Sequence, residues 1–524
     1  MYRQFESRLN KFINNKQEDL FDKRIIGLEK ESLRVSEDGK IAQTSHPIAL
    51  GSALTHPYIT TDYSEALLEL ITPPSDSPNK ALSFLENIHR FVYDNLDNEL
   101  LWASSMPCIV SGDASIPIAY YGDSNAGKMK SLYRTGLGHR YGRMMQVIAG
   151  IHYNFSLAEH FWPTYQDLEA DKQQTQAFIS SQYLGLTRNL QRFGWLVPYL
   201  FGASPTVCRS FVDGPTVGLE SFDEYTYYLP HATSLRVGDI GYQNYKEGET
   251  GIKANYDSLE DYIESLTCAI NTPYEQYEKI GVKVNGEYRQ LNANLLQIEN
   301  EYYSSVRPKQ LTEAYEKPSL ALHRRGVRYI ELRSLDVNVF EPLGINQQQI
   351  NFLEIFLIFC LIQESPPIDS LERQEIDINQ SASAHRGREP NLKLQRNGKD
   401  ILLSTWLIEL LDNMLPVAEM LDKLTDDNKY VKALKVQEEV AKDPDRTPSA
   451  IILAEMRNNG ESFYPFTMRY SQSHSRHFGN ISLSNELRSF FNDHAKLSIQ
   501  KQADIEANDK ESFDEFLENY FAQA

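Results

Sequence analysis

The stretch Arg24-Ile-Ile-Gly-Leu-Glu-Lys-Glu-Ser-Leu-Arg-Val35 decides how this chain is read. Its apolar residues, and its stop at the turn-forming Glu37-Asp38-Gly39, predict a β-strand. Alternate side chains of a strand share a face, so Glu29 and Glu31 lie side by side. Neighbouring carboxylates repel unless water or a cation supplies the missing charge. A divalent metal is the candidate this suggests.

Further segments repeat the arrangement. In Ser64–Thr72, Glu65, Leu67, Glu69 and Ile71 alternate with Ala66, Leu68 and Leu70. In Gly150–Ser156, His152 and Asn154 share one face and Ile151, Tyr153 and Phe155 the other. In Val327–Ser334, Glu331 and Arg333 face one way and Ile330 and Leu332 the other. If these strands share one sheet, carboxylates, an imidazole and a guanidinium converge on one cavity, a set suited to a hard cation bound with phosphate. Each motif alone has a plainer reading. Glu29 and Glu31 fit a half-exposed strand, His152 a core histidine, and Glu331 with Arg333 a structural ion pair. The recurrence across strands favours the site.

A chain of 524 residues, 41% hydrophobic and 24% charged, has the make-up of a soluble globular protein with a large core. Its net charge of −20, from 52 basic and 72 acidic side chains, repels a phosphate backbone, so nucleic acid is not an expected partner. Cys108, Cys208, Cys268 and Cys360 form no CxxC or zinc-ligand pattern, and free thiols in a reducing cytosol are expected. The N-terminus has no apolar core of signal-peptide length; Phe5, Leu9, Phe12 and Ile13 fit one helix face instead. The most apolar window, Ile350–Ile362, contains Asn351 and Glu354 and is too short to span a bilayer. It reads as a buried core helix, and a cytoplasmic protein without membrane contact is expected.

Along the chain, Ser77-Pro78 opens a helical pattern that runs to Leu96. Residues 105–155 read as loops around strands, because Gly122, Gly127, Gly136, Gly138, Gly142 and Gly150 fall there, and 121–140 reads as a mobile loop over the site. A further helix pattern lies after residue 260, with strand-like runs at Asn292–Tyr303 and Val327–Val337. The chain reads as one unit: a sheet-containing core over 1–365, a polar surface loop over 366–400 and a helical region over 401–524. That last region includes Leu402–Leu424, with a kink expected at Pro416, and a final helix carrying Phe513, Phe516, Leu517, Tyr520 and Phe521.

Gly122-Asp-Ser-Asn-Ala-Gly-Lys-Met129 fits a phosphate-binding P-loop until its last position, where Met129 lacks the hydroxyl that would hold magnesium. A glycine loop from which Lys128 meets phosphate is the better reading. His474 and His477 form an HxxH pattern read as a solvated surface segment. No GxSxG elbow or HExxH helix supports a serine hydrolase or zinc protease.

The strings Gly-Leu-Glu-Lys-Glu-Ser-Leu-Arg-Val (27–35), Leu-Gly-Ser-Ala-Leu-Thr-His (50–56), Ile-Thr-Thr-Asp-Tyr-Ser-Glu-Ala-Leu-Leu-Glu (59–69), Gly-Ile-His-Tyr-Asn-Phe-Ser (150–156), Pro-Tyr-Leu-Phe-Gly-Ala-Ser-Pro (198–205), Gln-Ile-Glu-Asn-Glu-Tyr-Tyr (297–303) and Ile-Glu-Leu-Arg-Ser-Leu-Asp (330–336) closely resemble the proteobacterial type of glutamate–cysteine ligase. They keep the same order and cover residues 20 to 345 densely. The resemblance implies an α+β fold like the catalytic part of glutamine synthetase: a curved antiparallel sheet forming a funnel, helices packed outside and a helical C-terminal region. It implies ATP-driven joining of the γ-carboxylate of L-glutamate to the amine of L-cysteine through a γ-glutamyl phosphate, the first step of glutathione synthesis. Magnesium, with manganese as an alternative, is the implied metal, and ATP is a co-substrate.

By position, Glu29, Glu31, Asp62, Glu69, His152 and Glu331 resemble the metal ligands, and Arg333 with Glu331 the catalytic pair that faces the transferred phosphoryl. Arg236 resembles a substrate-carboxylate contact. Tyr63, Tyr133, Leu137, Gln146, Tyr242 and Tyr303 resemble the cysteine pocket, Asn154 a further substrate contact, and Lys128 and Arg134 nucleotide contacts. Members of that family carry phenylalanine where Tyr63 stands. A monomer is the expected state. The alternatives are a ligase of the same scaffold with another amine acceptor, a metal-dependent phosphohydrolase, and a non-catalytic acidic binding protein.

Overall fold

The period-two segments pair into one antiparallel sheet in the computed structural model, which describes residues 3–212, 218–238, 240–241 and 253–523. Its seven strands are β1 (Arg24–Ser36), β2 (Ile59–Thr61), β3 (Leu67–Ile71), β4 (Glu99–Leu101), β5 (Ile151–Leu157), β6 (Val306–Lys309) and β7 (Tyr329–Leu335). Their order is β6-β7-β5-β1-β3-β2, with β4 pairing the end of β1. Register settles which side chains meet. Glu31 lies opposite Glu69, Glu29 opposite His152, and Asn154 opposite Glu331. The alternation of apolar and charged residues fixes this pairing, because a slip of one residue would turn every carboxylate to the other face.

The helices used below are α1 (Arg3–Asn14), α2 (Pro78–Tyr93), α3 (Asn125–Tyr141), α4 (Thr175–Phe193), α5 (Gln347–Ile362), α6 (Ser370–Arg386), α7 (Leu403–Thr425), α8 (Lys429–Lys442), α9 (Phe463–Gly479), α10 (Asn485–Asn508) and α11 (Phe513–Phe521). α5 is the apolar window read as a core helix, and every residue from Ile350 to Ile362 is buried. Its one carboxylate is paired. Arg24, on the face of β1 opposite Glu29, donates from Nε to Glu354 at 2.7 Å and from Nη2 to Tyr430 of α8 at 2.6 Å, and Tyr430 donates to Glu354 at 2.8 Å. This triad ties the sheet to the helices behind it. Phe5, Leu9 and Phe12 of α1 are buried as their spacing predicts, while Ile13 is exposed. α7 runs through Pro416 as one helix.

Several expectations need correction. The stretch 121–140, read as a glycine-rich mobile loop, is mostly α3, with Ser124 capping the Gly127 N–H. Its glycines serve close packing. A Cβ at Gly127 would lie 2.3 Å from the Tyr121 carbonyl oxygen, and one at Gly136 2.1 Å from Gln297 Oε1. Contacts that tight exclude a side chain without calling for flexibility. The C-terminal α11 packs on the same helix, joining Phe516, Leu517 and Tyr520 to Met129 and Leu132.

The polar stretch 366–400, read as a surface loop, forms α6 and most of a hairpin of Lys393–Arg396 with Lys399–Leu402. Asp369 caps α6, and its polar residues Glu375, Asn379 and Ser383 are buried by bonds to backbone: Glu375 accepts from the Asn397 and Gly398 N–H groups, and Ser383 donates to the Trp195 carbonyl. Polar composition therefore concealed an element stabilised through its polar atoms. The run 292–303 holds only a short 3₁₀ turn at Glu299–Glu301 among its described residues, because the side chains of Asn292 and Glu301 take up its backbone groups. His474 is buried on α9 with Nε2 2.8 Å from the Val339 carbonyl, whereas His477 is exposed, as expected. Cys108 and Cys208 form a disulfide rather than free thiols. The residues lie 100 apart in the chain, beyond the reach of any spacing rule, and their Cα atoms are 5.3 Å apart. Among the described residues no helix is long and apolar enough to cross a membrane.

Candidate active site

Three neighbouring strands bring Glu29, His152 and Glu331 together. His152 Nδ1 lies 3.1 Å from Glu29 Oε2 and 3.6 Å from Glu331 Oε1, and its Nε2 lies 3.7 Å from Glu31 Oε1. One donor atom from each of Glu29, His152 and Glu331 fits within 4.8 Å of the others. Asn154 holds Glu29 in place by donating to Oε1 at 2.7 Å, and the Gly150 N–H donates to Glu31 Oε2 at 2.6 Å. β3 adds Glu69, and the turn after β2 adds Asp62, which lies 3.9 Å from Arg134 Nη2.

The electrostatics show that charge is missing. Burial, with Glu29, Asp62 and Glu31 nearby, pushes the Glu69 carboxyl well above the usual carboxylate range. Burial also raises Glu31, and Asp62 adds to it. Glu331 goes the other way: burial opposes its ionisation, but Lys309, Arg333, His152 and Arg307 outweigh that and hold it well below. One of its oxygens, Oε2, is buried and has no hydrogen-bond partner among the described residues. A cluster of oxygen donors with one imidazole, in which Glu69 and Glu31 lack balancing charge and Glu331 Oε2 lacks a hydrogen bond among the described residues, fits a divalent cation.

Arg333 Nη1 lies 3.1 Å from Glu331 Oε1. Arg236 donates from Nη2 to the Arg333 carbonyl at 2.8 Å. Tyr63 directly follows Asp62, and its hydroxyl is so close to α3 that a Cβ at Gly138 would lie 2.7 Å from it. α3 also carries Tyr133, Arg134 and Leu137; Gln146 is buried just beyond its end. Tyr303 lies near Arg333. Tyr242 lies outside the described residues.

The two residues read from sequence as nucleotide contacts part company. Arg134 meets Asp62 and stacks on the Tyr121 ring at 4.6 Å, but Lys128 is exposed and turned to solvent on α3. The cations beside Glu331 instead come from β6: Lys309 Nζ lies 3.5 Å from Glu331 Oε2, and Arg307 is directly opposite Glu331 in the ladder. Sequence reading missed both, since Val306–Lys309 is a four-residue edge strand containing Pro308. The signal that would have found them is the alternation of Arg307 and Lys309 themselves. Beside them opens a cavity of about 340 Å³ lined by Tyr262, Leu266, Pro308, Leu322 and Tyr329.

Comparison with known proteins shows a family for this chain. A family model described as glutamate-cysteine ligase matches residues 9–383. A protein of Alcanivorax borkumensis named glutamate–cysteine ligase is 49% identical over 500 residues, covering 94% of this chain and 95% of its own. One of Pseudomonas entomophila with the same name is 46% identical over 504 residues, covering 96% and 95%. The crystal structure of the Francisella tularensis glutamate–cysteine ligase in complex with AMP superposes with a TM-score of 0.89 at 36% identity, over 95% of this chain and 97% of that one.

Proposed function

We infer the reaction from one premise: the chain belongs to the glutamate–cysteine ligase family. It joins the γ-carboxylate of L-glutamate to the amine of L-cysteine with ATP, giving γ-glutamylcysteine, the first step of glutathione synthesis. The observation that carries this reading is the meeting of Glu29, Glu31, Glu69, His152 and Glu331 on one sheet face beside Arg333. We read the sheet as the wall of a funnel like that of glutamine synthetase, in a cytoplasmic protein.

A carboxylate resists attack by an amine until one oxygen becomes a leaving group. An oxygen of the glutamate γ-carboxylate therefore attacks the γ-phosphorus of ATP, the bond to the bridging oxygen breaks and ADP leaves. Glu29, Glu31, Asp62, Glu69, His152 and Glu331 would hold magnesium or manganese, which supplies charge neutralisation for the triphosphate. Arg333 stabilises charge on the phosphoryl in flight, and Lys309 and Arg307 draw the phosphates towards β6. The adenosine is assigned to the cavity beside them, and Arg134 flanks the other side of the site.

Arg236 binds a substrate carboxylate. Tyr63, Tyr133, Leu137, Gln146 and Tyr303 enclose the cysteine side chain, with Asn154 near the reacting groups. The neutral cysteine amine attacks the acyl carbon, orthophosphate leaves and the nitrogen gives up its proton. Exclusion of water protects the acyl phosphate, and the closely packed α3 serves as a fixed wall for that purpose.

Mass spectrometry of a reaction with glutamate, cysteine and ATP tests the reading. The expected product is γ-glutamylcysteine, with ADP release that requires both amino acids. Phosphate release from ATP without glutamate would establish the phosphohydrolase instead, and turnover with another amine but not cysteine would establish a different acceptor.

A further inference from the structure

Asp336 closes the motif Ile-Glu-Leu-Arg-Ser-Leu-Asp (330–336), yet it has no part in the chemistry above. We propose that Asp336 is a positioning residue that fixes the Arg236 guanidinium to receive the carboxylate of an amino-acid substrate. The inference rests on the assignment of Arg236 made above.

The carboxylate of Asp336 gathers two chain segments. Its Oδ2 accepts from the Ala203 N–H at 2.8 Å and from Ser204 Oγ at 2.6 Å. Its Oδ1 accepts from Ser234 Oγ at 2.9 Å and lies 3.7 Å from Arg236 Nη1. The same hydroxyls brace the backbone around Arg236. Ser204 Oγ accepts from the Arg236 N–H at 3.4 Å, and Ser234 Oγ from the Val237 N–H at 3.3 Å. The Leu235 N–H donates to the Ser204 carbonyl at 2.7 Å. One buried acid thus sets the backbone from which the arginine projects.

The far end of the side chain is seated as firmly. Arg236 Nη2 donates to the Arg333 carbonyl at 2.8 Å, and a Cβ at Gly150 would lie 2.0 Å from that same nitrogen, so the absence of a side chain at Gly150 makes the seat. Arg236 Nε and Nη1 are buried and have no hydrogen-bond acceptor among the described residues. Buried donors without an acceptor are unfavourable unless a ligand provides one. A substrate carboxylate is the acceptor that matches a guanidinium in charge and shape.

A residue that acts only through Arg236 should lose its effect when Arg236 is altered, which a merely structural residue would not. The experiment compares KM for glutamate, cysteine and ATP in wild type, Asp336→Asn, Arg236→Lys and the double variant. In Asp336→Asn, KM for one amino acid is expected to rise about tenfold while KM for ATP stays within about twofold, since positioning errors act on the group they misplace. In the Arg236→Lys background the same change is expected to add less than about twofold. Unchanged KM values, or a loss that persists in full in the Arg236→Lys background, would overturn the proposal. Ser204→Ala guards against misfolding of the first variant, with a smaller rise, about threefold, in the same KM. Wild-type protein that releases ADP turnover after turnover without glutamate would refute the reaction itself, a failure seen before any variant is compared.

Discussion

The two faces of the central sheet bury charge in opposite ways. On the back, Arg24 finds Glu354 and Tyr430, and each polar atom of the triad has a partner. On the front, Glu29, Glu31, Glu69 and Glu331 crowd one another, Glu69 is forced towards its neutral form, and Glu331 Oε2 has no hydrogen-bond partner among the described residues. Both faces come from the same strands, so local backbone preference cannot be the cause. The back is satisfied within the protein, as stability requires; the front is satisfied only in part, by Asn154, the Gly150 N–H and Arg333, which is the pattern expected of a face completed by a ligand.

The largest expected effect breaks the back. Arg24→Ala leaves Glu354 buried without its cation and should lower stability by about 3–5 kcal/mol, read by denaturant unfolding, while activity per folded molecule persists. Next comes the front: Glu331→Gln should lower turnover by about 10²–10³-fold with an unchanged circular dichroism spectrum. A loss of fold in Glu331→Gln, or of activity alone in Arg24→Ala, would erase the distinction.

Acidity probes a third kind of burial, in which groups are held neutral. Burial depresses His46 to about 3, with Arg34 adding to it, and His56 and His474 to about 4. The folded protein therefore binds fewer protons than the unfolded chain below the ordinary histidine range, and stability falls as pH falls. Between pH 7.5 and 6 the three together should lose about 2 kcal/mol, measured as a drop in unfolding free energy. A flat profile would show these rings to be exposed to protons.

Much of this contrast was legible in the sequence, because a strand displays its faces by simple alternation. Alternation put Glu29 with Glu31, His152 with Asn154 and Glu331 with Arg333 on one face of their own strands, and the pairing of those strands then made the faces, with Glu69, one. What was hidden depended on partners distant in the chain. The glycines of 122–142 suggested a loop, whereas Gly136 and Gly138 are small because Gln297 and the Tyr63 hydroxyl press against them. Polarity at 366–400 suggested a surface, whereas Glu375 and Asn379 are buried on hydrogen bonds supplied by the hairpin that follows. Lys128 drew attention through a near-motif, while Lys309, without any motif, stands beside Glu331.

The smallest expected effect sharpens the comparison most finely. In metal-free protein, Glu69→Gln removes a carboxylate that its neighbours oppose and should raise stability by about 1 kcal/mol, the reverse of what Arg24→Ala does behind the sheet. Thermal unfolding in the presence of a chelator reads this directly.

The central claim is that the front-face carboxylates share a divalent cation. Titration of manganese(II) followed by electron paramagnetic resonance, in wild type and in Glu331→Gln, tests it most directly. The account predicts binding in the wild type and an affinity lowered at least about tenfold in the variant. Equal affinity in the two proteins would contradict it.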